Sequence, residues 1–495
     1  MKLQGTVTDS LTSERLSGAS VYLKQEAVGV ETSRNGEYLL QLLAGEHRIS
    51  ISFVGYKTKE VIVNVQNNTV MNFALAPVSA SLDAAVVSAE KTNVNVTRSE
   101  TGIERLQIKQ IRLIPALMGE VDILKAIRML PGVQATSEGS SSFSVRGGSP
   151  DQNLILFDEA TVYNASHLMG FFSVFNNDAV EDLKLYKGDI PPIYGGRLSS
   201  LLAVSSHELS ANKFTGTGGI GTISSRLAIE APIGKNLSVF GAGRRTYADL
   251  FLKMMPDKDI RDVKLYFYDL NGKINWRINA KNRLFVSAYD GKDKFKNENM
   301  YMNFGNRTLT LRWNSLFSEK FFMNLTATNS EYNYNIGSTN ESLLGNWIAK
   351  TYDWGLKSDF TWLANSNSTF KFGISAIYHV FHPGDATAVI NKEDYGVYLP
   401  HSQAVNWAIY AGNEQKISSR ITLRYGLRAA LFQNVGPGKV FANIYDSRGN
   451  PVFNHYSSGD FFNNYWTIEP RAGLVYAFNE ATSFKANYSR SSQFL

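Results

Sequence analysis

Four groups of residues in this chain have types and spacings that could do chemistry. Gly216-Thr217-Gly218-Gly219-Ile220-Gly221 fits the pattern G-x-G-x-x-G. That pattern holds a pyrophosphate only between a strand and the N-terminus of a helix. Here Ile223, Arg226, Leu227 and Ile229 continue in strand alternation, so the reading is a closely packed glycine-rich strand. His379, His382, Asp385 and His401 offer nitrogen and oxygen donors at loop spacing. Scattered surface histidines give the same pattern, and neither a metal nor a cofactor is expected. Tyr163, Asn164, Ser166 and His167 precede Phe171 and Phe172. Hydrogen-bonding groups beside aromatics suit contact with a small molecule, though loop packing gives the same composition. Arg146, Glu181 and Arg197 lie among glycine-rich turns, either as breakable ion pairs or simply solvated. No Ser-His-Asp set, G-x-S-x-G or paired-carboxylate arrangement stands out. No catalytic residue is therefore assigned, and the chain is not read as an enzyme.

The elements that position these groups follow from composition and periodicity. The chain has 495 residues, of which 43% are hydrophobic and 12% aromatic, with 39 Gly. That is more than one ordinary domain, rich in strands and turns. No apolar run approaches the ~18 residues of a membrane helix. There is no cysteine, so neither disulfides nor thiolate metal sites exist. The net charge of +6 is scattered, without the basic stripe a nucleic-acid surface needs. Met1-Lys2-Leu3-Gln4-Gly5 leads straight into a strand pattern, with no visible secretory signal.

Residues 3 to about 76 alternate apolar and polar, as in Ile49-x-Ile51-x-Phe53, with Asn35-Gly36 as a hairpin turn signal. This predicts an antiparallel β-sandwich of about seven short strands. Leu82-Asp83-Ala84-Ala85-Val86-Val87-Ser88-Ala89 is a short β-favouring stretch before a polar linker. Such a segment can add a strand to the sheet edge of a partner. Glu120 to Ile127 has helical spacing and is ended by Pro131-Gly132.

From Lys213 onward one face of each strand is apolar and the other strongly polar. Tyr266, Tyr268, Leu270, Ile274 and Trp276 oppose Asp269, Asn271, Lys273 and Asn275. The pattern recurs at Trp354, Leu356, Phe360 and Trp362 against Asp353, Lys357 and Asp359. Short links near 280–282, 318–320, 365–367, 418–419 and 479–481 alternate with long ones, which a transmembrane up-and-down barrel produces. About twelve strands are expected.

Four motifs follow in a fixed order. They are Phe143-Ser144-Val145-Arg146-Gly147-Gly148, the apolar strand ending at Phe157-Asp158, Val180 to Gly188 with Glu181, and Tyr194-Gly195-Gly196-Arg197. Together they resemble the plug domain of TonB-dependent outer-membrane receptors, departing only at Asp158-Glu159, where the family usually has Asp-Gly. The N-terminal pattern resembles the carboxypeptidase regulatory-like domain found ahead of the plug in receptors of the Bacteroidetes. Leu82 to Ala89 resembles the TonB box, with Ala84 in place of Glu.

The resemblance implies a mainly β fold. It comprises a β-sandwich (1–78), a TonB-box and linker (79–98), an α+β plug domain (99–212) and a partial antiparallel β-barrel (213–495). A lumen that holds a plug needs about 22 strands, so a C-terminally truncated receptor is expected. The implied plug motif is Arg146, Gly147, Asp158, Glu181, Gly188, Tyr194, Gly195 and Arg197. The implied activity is uptake of a siderophore-iron, vitamin, peptide or glycan across the outer membrane. Implied partners are the TonB C-terminal domain with the inner-membrane ExbB/ExbD motor, the nutrient ligand, outer-membrane lipid and a surface lipoprotein, but no nucleic acid. The alternative is a remnant, or a periplasmic binding and signalling scaffold without transport.

Overall fold

The computed structural model describes residues 1–495 except 11–14, 17, 24–27, 34, 54–55, 57, 76–99, 113, 115–119, 137–141, 210–212, 339–342, 366, 391–392, 419, 446–450, 480 and 495. The stretch from Leu82 to Ala89 lies outside the described residues. The chain divides into two compact units, the first comprising Met1–Lys91 with Leu316–Phe322 and Trp362–Ser366, and the second carrying the plug and most of the barrel.

The first unit holds β1 (Lys2–Asp9), β2 (Ser20–Leu23), β3 (Val28–Glu31), β4 (Glu37–Gln41), β5 (Gly45–Ser52), β6 (Lys59–Val65), β7 (Thr69–Val70) and β8 (Phe73–Leu75). They form two four-stranded sheets, β4-β1-β7 with β8 also on β1, and β3-β2-β5-β6. Period-two patterning puts alternate side chains on one face, so Leu3, Val7, Val21, Leu40, Ile49, Ile51, Val63, Phe73 and Leu75 form one buried cluster. The pairings of β1 with β7 and β8 are parallel, where only antiparallel strands were expected. The final strands reach β1 from across the sheet rather than by a hairpin. Gly36 takes φ +71° between β3 and β4, the left-handed conformation that glycine tolerates.

In the second unit the plug is built on β9 (Ile103–Gln107), β10 (Val133–Ala135), β11 (Phe143–Val145), β12 (Asn153–Phe157), β13 (Ala160–Thr161), β14 (Ser166–His167), β15 (Phe172–Ser173), β16 (Val180–Tyr186) and β17 (Ser200–Ser206). Five of these make a mixed sheet ordered β13-β12-β17-β16-β9. Helix α1 (Ile108–Ile111) follows β9 directly. The helical spacing seen from Glu120 yields a shorter α2 (Ile123–Ile127), because Asp122 caps it by accepting from the Lys125 amide at 3.0 Å. Ile123, Leu124, Ala126 and Ile127 of α2 are buried with Phe143, Phe157, Leu183, Leu185 and Leu202. Burying such side chains contributes ~1.5–3 kcal/mol each.

The barrel strands are β18 (Thr215–Ile220), β19 (Ser224–Ile233), β20 (Leu237–Thr246), β21 (Lys264–Arg277), β22 (Asn282–Lys296), β23 (Met300–Ser318), β24 (Phe321–Ser338), β25 (Leu343–Asn365), β26 (Ser368–Ile390), β27 (Glu393–Tyr398), β28 (Ser402–Lys416), β29 (Ile421–Val435), β32 (Phe461–Ala477) and β33 (Ser483–Ser489). Between β29 and β32 stands a separate hairpin of β30 (Gly438–Tyr445) and β31 (Pro451–Tyr456). Two short helices, α3 (Ala248–Leu252) and α4 (Lys258–Arg261), connect β20 to β21.

The barrel sheet has fourteen strands, and β27 pairs only with β26, leaving thirteen on one path. That is one more than the expected dozen. The glycine-rich β18 does not run on into Ile223. It turns at Gly221 and pairs antiparallel with β19, which turns again near Gly234 into β20. No helix follows the glycine pattern, so the geometry that would hold a pyrophosphate is missing there. The expected long connections are mostly strand. β25 and β26 each run for 23 residues, well beyond the ~9–11 that cross a membrane, and so project past it as paired ribbons. Among the described residues no helix is long and apolar enough to cross a membrane, which says nothing of strands.

Candidate functional site: the contact between plug and barrel wall

Inward-facing residues of the barrel strands meet the plug in several polar clusters, each assembled from residues distant in sequence. The first surrounds His167 at the end of β14. Its Nε2 lies 2.7 Å from Asp269 of β21, and its Nδ1 lies 2.6 Å from Asp293 of β22. Both ring nitrogens facing carboxylates requires both to donate, which only the imidazolium does. Burial alone would lower the His167 pKa, but Asp269 and Asp293 outweigh it and raise it to about 9. The ring stacks on Phe267 at 4.2 Å between centroids. Leu168 adopts φ +47° and donates its amide to Asp293 at 2.7 Å.

Arg244 of β20 completes this cluster. It bonds Asp269 at 2.5 Å, Glu120 of the plug at 2.5 Å and the Ser173 carbonyl at 2.7 Å. Tyr289 donates to Asp269 at 2.7 Å, and Ser224 bonds Glu120 at 3.1 Å. Every carboxylate here has at least two donors, as burial of charge demands.

The second cluster surrounds the β12–β13 turn. Asp158 and Glu159 have φ +46° and +75°, the two-residue hairpin geometry with both central residues left-handed. The replacement of glycine by Glu159 therefore leaves the turn type unchanged. A non-glycine residue in this region costs ~1–2 kcal/mol, and the Glu159 carboxylate offsets that with bonds to the wall. It binds Lys357 of β25, lies 3.9 Å from Arg312 and accepts from Tyr194 at 2.9 Å. Burial opposes its ionisation, but Lys357 and Arg312 prevail and hold its pKa near 2. Asp158 accepts the Ser206 amide at 3.0 Å and the hydroxyls of Ser206 and Ser287.

The third cluster is the loop singled out for ligand contact. Tyr163 donates to Asp353 at 2.5 Å, and the other Asp353 oxygen lies 2.6 Å from His379. Burial and the Asp353 charge push the Tyr163 pKa well above the usual phenol value. Asn164 accepts from Asn306 at 2.6 Å through its carbonyl, and Ser166 donates back to Asn164 at 2.8 Å. All four loop residues, Tyr163, Asn164, Ser166 and His167, thus touch the wall or one another. His382 stacks face to face on His401 at 3.7 Å, apart from the His379–Asp353 pair. Among the described residues no group of three acidic or histidine side chains could hold a metal.

The fourth cluster clamps the last turn of the plug. Arg424 of β29 pairs with Asp189, while Arg471 of β32 bonds the carbonyls of Ile190 at 2.7 Å and Pro191 at 2.5 Å. Arg428 reaches the Pro192 carbonyl at 3.3 Å, and Gly195 is a glycine because a Cβ there would fall 2.5 Å from Arg428 Nε. The remaining plug-motif residues stand elsewhere. Arg146 is exposed, with φ +51°, and among the described residues makes no ion pair. Gly147 follows at φ +79°, and a Cβ at Gly188 would approach the Arg146 guanidinium. Glu181 lies within β16 rather than on a turn, and reaches the wall through His207, which bridges it at 3.2 Å to Glu230 of β19 at 3.1 Å. Arg197 donates to the Gly196 carbonyl at 3.0 Å.

Reasoning from sequence missed Arg244, Glu120, Asp293 and Arg471 as ties. The available signal was charge on the inward face of a strand whose outward face is apolar. A polar plug wrapped by a sheet that is apolar outside is the architecture of a plugged outer-membrane-type barrel.

Three family models match in chain order: the CarboxypepD_reg-like domain over 3–87, the TonB-dependent Receptor Plug Domain over 112–200 and the TonB dependent receptor-like beta-barrel over 253–494. The chain belongs to the TonB-dependent receptors, in the arrangement with a carboxypeptidase regulatory-like domain ahead of the plug. Among solved structures, it resembles the ferric-catecholate import receptor Fiu of E. coli K12 at 13% identity and TM-score 0.55, over 80% of this chain and 70% of that one. It resembles the copper transporter OprC at 13% and 0.55, over 76% and 61%. It resembles BauA, the ferric preacinetobactin receptor of Acinetobacter baumannii, at 12% and 0.54, over 79% and 64%. A curated relative, Bacillopeptidase F of Bacillus subtilis, is 36% identical over 78 residues, 15% of this chain and 5% of that protein. The chain thus spans about two thirds of the solved receptors and a small part of the curated relative.

Proposed function

We propose that the chain acts as a TonB-dependent outer-membrane receptor that takes up a scarce nutrient, in the class of siderophore-iron, vitamin, peptide or glycan. The carrying observation is the first cluster. A folded plug is held to the barrel wall by buried, fully partnered charges, Arg244 with Glu120 and His167 with Asp269 and Asp293. Such ties close the lumen at rest and can be re-made after displacement. Transport then needs a handle on the plug. Leu82 to Ala89 supplies it by adding a strand to the TonB C-terminal domain, and the inner-membrane ExbB/ExbD motor supplies the force. Tyr163, Asn164, Ser166 and His167 sit where a bound nutrient would disturb the wall contacts, coupling occupancy to loosening.

The test is titration of the purified chain with the TonB C-terminal domain, beside Val86→Pro. Proline removes a ladder donor and abolishes strand addition. Binding lost in the variant supports energised uptake. Binding indifferent to the proline, or none, removes the handle and favours a scaffold role.

A further inference from the structure

The outward face of the barrel carries a feature that nutrient uptake does not use. On β22 three lysines, Lys292, Lys294 and Lys296, occupy successive outward positions and are all exposed. The register sets Lys292 beside Tyr268, Lys294 beside Tyr266 and Lys296 beside Lys264 of β21. Arg245 of β20 lies opposite Tyr268, and its guanidinium stacks on the Tyr266 ring at 4.8 Å. Five cations therefore share one outward patch on three adjacent strands.

Of the neighbouring carboxylates, two serve Arg307 outside the row of lysines and one offsets Arg245, which leaves the four lysines. Asp290 and Glu331 flank Arg307 at 3.1 and 3.7 Å, and Asp249 pairs with Arg245 at 3.4 Å. Among the described residues, Lys264, Lys292, Lys294 and Lys296 form no ion pair. Alternate residues of one strand are only ~6.8 Å apart, so these ammonium groups repel one another unless an external anion stands between them. On the β23 side Lys292 faces Gly305, Lys294 faces Asn303 and Lys296 faces Tyr301, so no carboxylate stands opposite the row.

The depth of the patch selects the anion. Immediately past Tyr268 the outward residues turn apolar: Leu270, Ile274 and Trp276 on β21, Leu309, Leu311 and Trp313 on β23, each 40–55% exposed. A crossing takes about 9–11 residues. Counted from the short turn after Ile278, it ends near Tyr268, with Tyr266 and Tyr268 as interfacial aromatics. The lysines then stand at headgroup level on the side of the longer connections, where positive charge facing lipid is tolerated. A ligand filling this place must be anionic where it meets the lysines and acyl where it meets the apolar band.

We propose that the β20–β22 outward patch binds the phosphate groups of a phosphorylated glycolipid of the outer leaflet. The proposal rests on the wall facing lipid, not on cargo or TonB binding, so it stands or falls separately from the uptake reading. The test is native mass spectrometry of the full chain in non-ionic detergent with a synthetic bis-phosphorylated, acylated glucosamine disaccharide, beside its dephosphorylated form. The unaltered chain is expected to retain the phosphorylated lipid at concentrations where the dephosphorylated form is not retained. The Lys292→Gln/Lys294→Gln/Lys296→Gln chain should lose roughly tenfold or more in occupancy, whereas Lys281→Gln, on the opposite turn, should lose none. Equal retention of the two lipids by the unaltered chain, which involves no variant and no question of folding, overturns the proposal. So does undiminished occupancy in the triple variant.

Discussion

His167 Nε2 and the Asp269 carboxylate lie 2.7 Å apart although 102 residues separate them in sequence. This contact joins the plug to the first strand of the wall after the linking helices, and its strength depends on a proton. The groups facing the imidazole are Asp269 and Asp293; Tyr289 donates to the same Asp269 oxygen as His167, and Arg244 holds the other.

Because the His167 pKa is raised to about 9 from an ordinary ~6.5, its contribution is fully present below about pH 6.5. It fades as pH rises through 9. The difference corresponds to about 3 kcal/mol. Thermal unfolding followed by tryptophan fluorescence between pH 6 and 10 should show stability falling over that window. The fall should be largely absent in His167→Gln, which is less stable at pH 6 but converges on the parent at pH 10.

Glu159→Gly sets two effects against each other. Glycine relieves the φ of +75°, worth ~1 kcal/mol, but removes a partner of the buried Lys357, which keeps Asp359 at 3.2 Å. Truncating one member of a buried charge pair costs ~3–5 kcal/mol, less here because Asp359 remains. Net destabilisation by ~1–3 kcal/mol is expected in chemical denaturation. The Glu159→Gly/Lys357→Met double variant should be less destabilised than the sum of its single changes.

The clamp on residues 190–193 is made by arginines donating to backbone carbonyls. Arg428→Ala with Arg471→Ala should leave the barrel folded but speed hydrogen exchange of amides in the Ile190–Arg197 segment by roughly tenfold or more, at ~1.5–3 kcal/mol per charged hydrogen bond. Unchanged exchange there would mean the segment is held by its own turns.

Two glycines of the plug motif should respond differently to alanine. At Gly147 nothing lies within 4 Å of an added Cβ, and only φ +79° opposes it, so ~1 kcal/mol is expected. At Gly195 the added Cβ meets Arg428, so Gly195→Ala should displace that guanidinium and loosen the same segment as Arg428→Ala.

Much of the architecture was legible because period-two patterning reports directly which face of a strand meets solvent, lipid or protein. Asp269, Asp353 and Lys357 are on the polar faces of their strands from sequence alone. Their partners were not legible, since the pairing of Asp269 with His167 or Lys357 with Glu159 depends on where the plug docks, and no local rule encodes that. The turn at Gly221 is hidden in sequence because that glycine sits in a run that alternates well on both sides and reads as one continuous strand. The long connections read as loops because polar, aromatic-rich ribbons outside a membrane lack an apolar face. The glycine neighbours of Arg146 and Arg197 mark turns, and turn chemistry carries no information about ties across to the wall.

The place of β9 at the edge of the plug sheet has a mechanical consequence. It is the first described strand after the segment proposed to meet TonB, it pairs on one side only, and five register pairs hold it to β16. Tension applied ahead of Ile103 therefore loads this edge before it reaches the parallel β12–β17 pair at the centre. The wall clusters of His167, Glu159 and Asp189 all lie downstream in the chain. A modest load would peel one ribbon and leave the remainder seated, and only a larger one would dislodge the whole domain, so the fold behaves as a graded fastening rather than a single stopper.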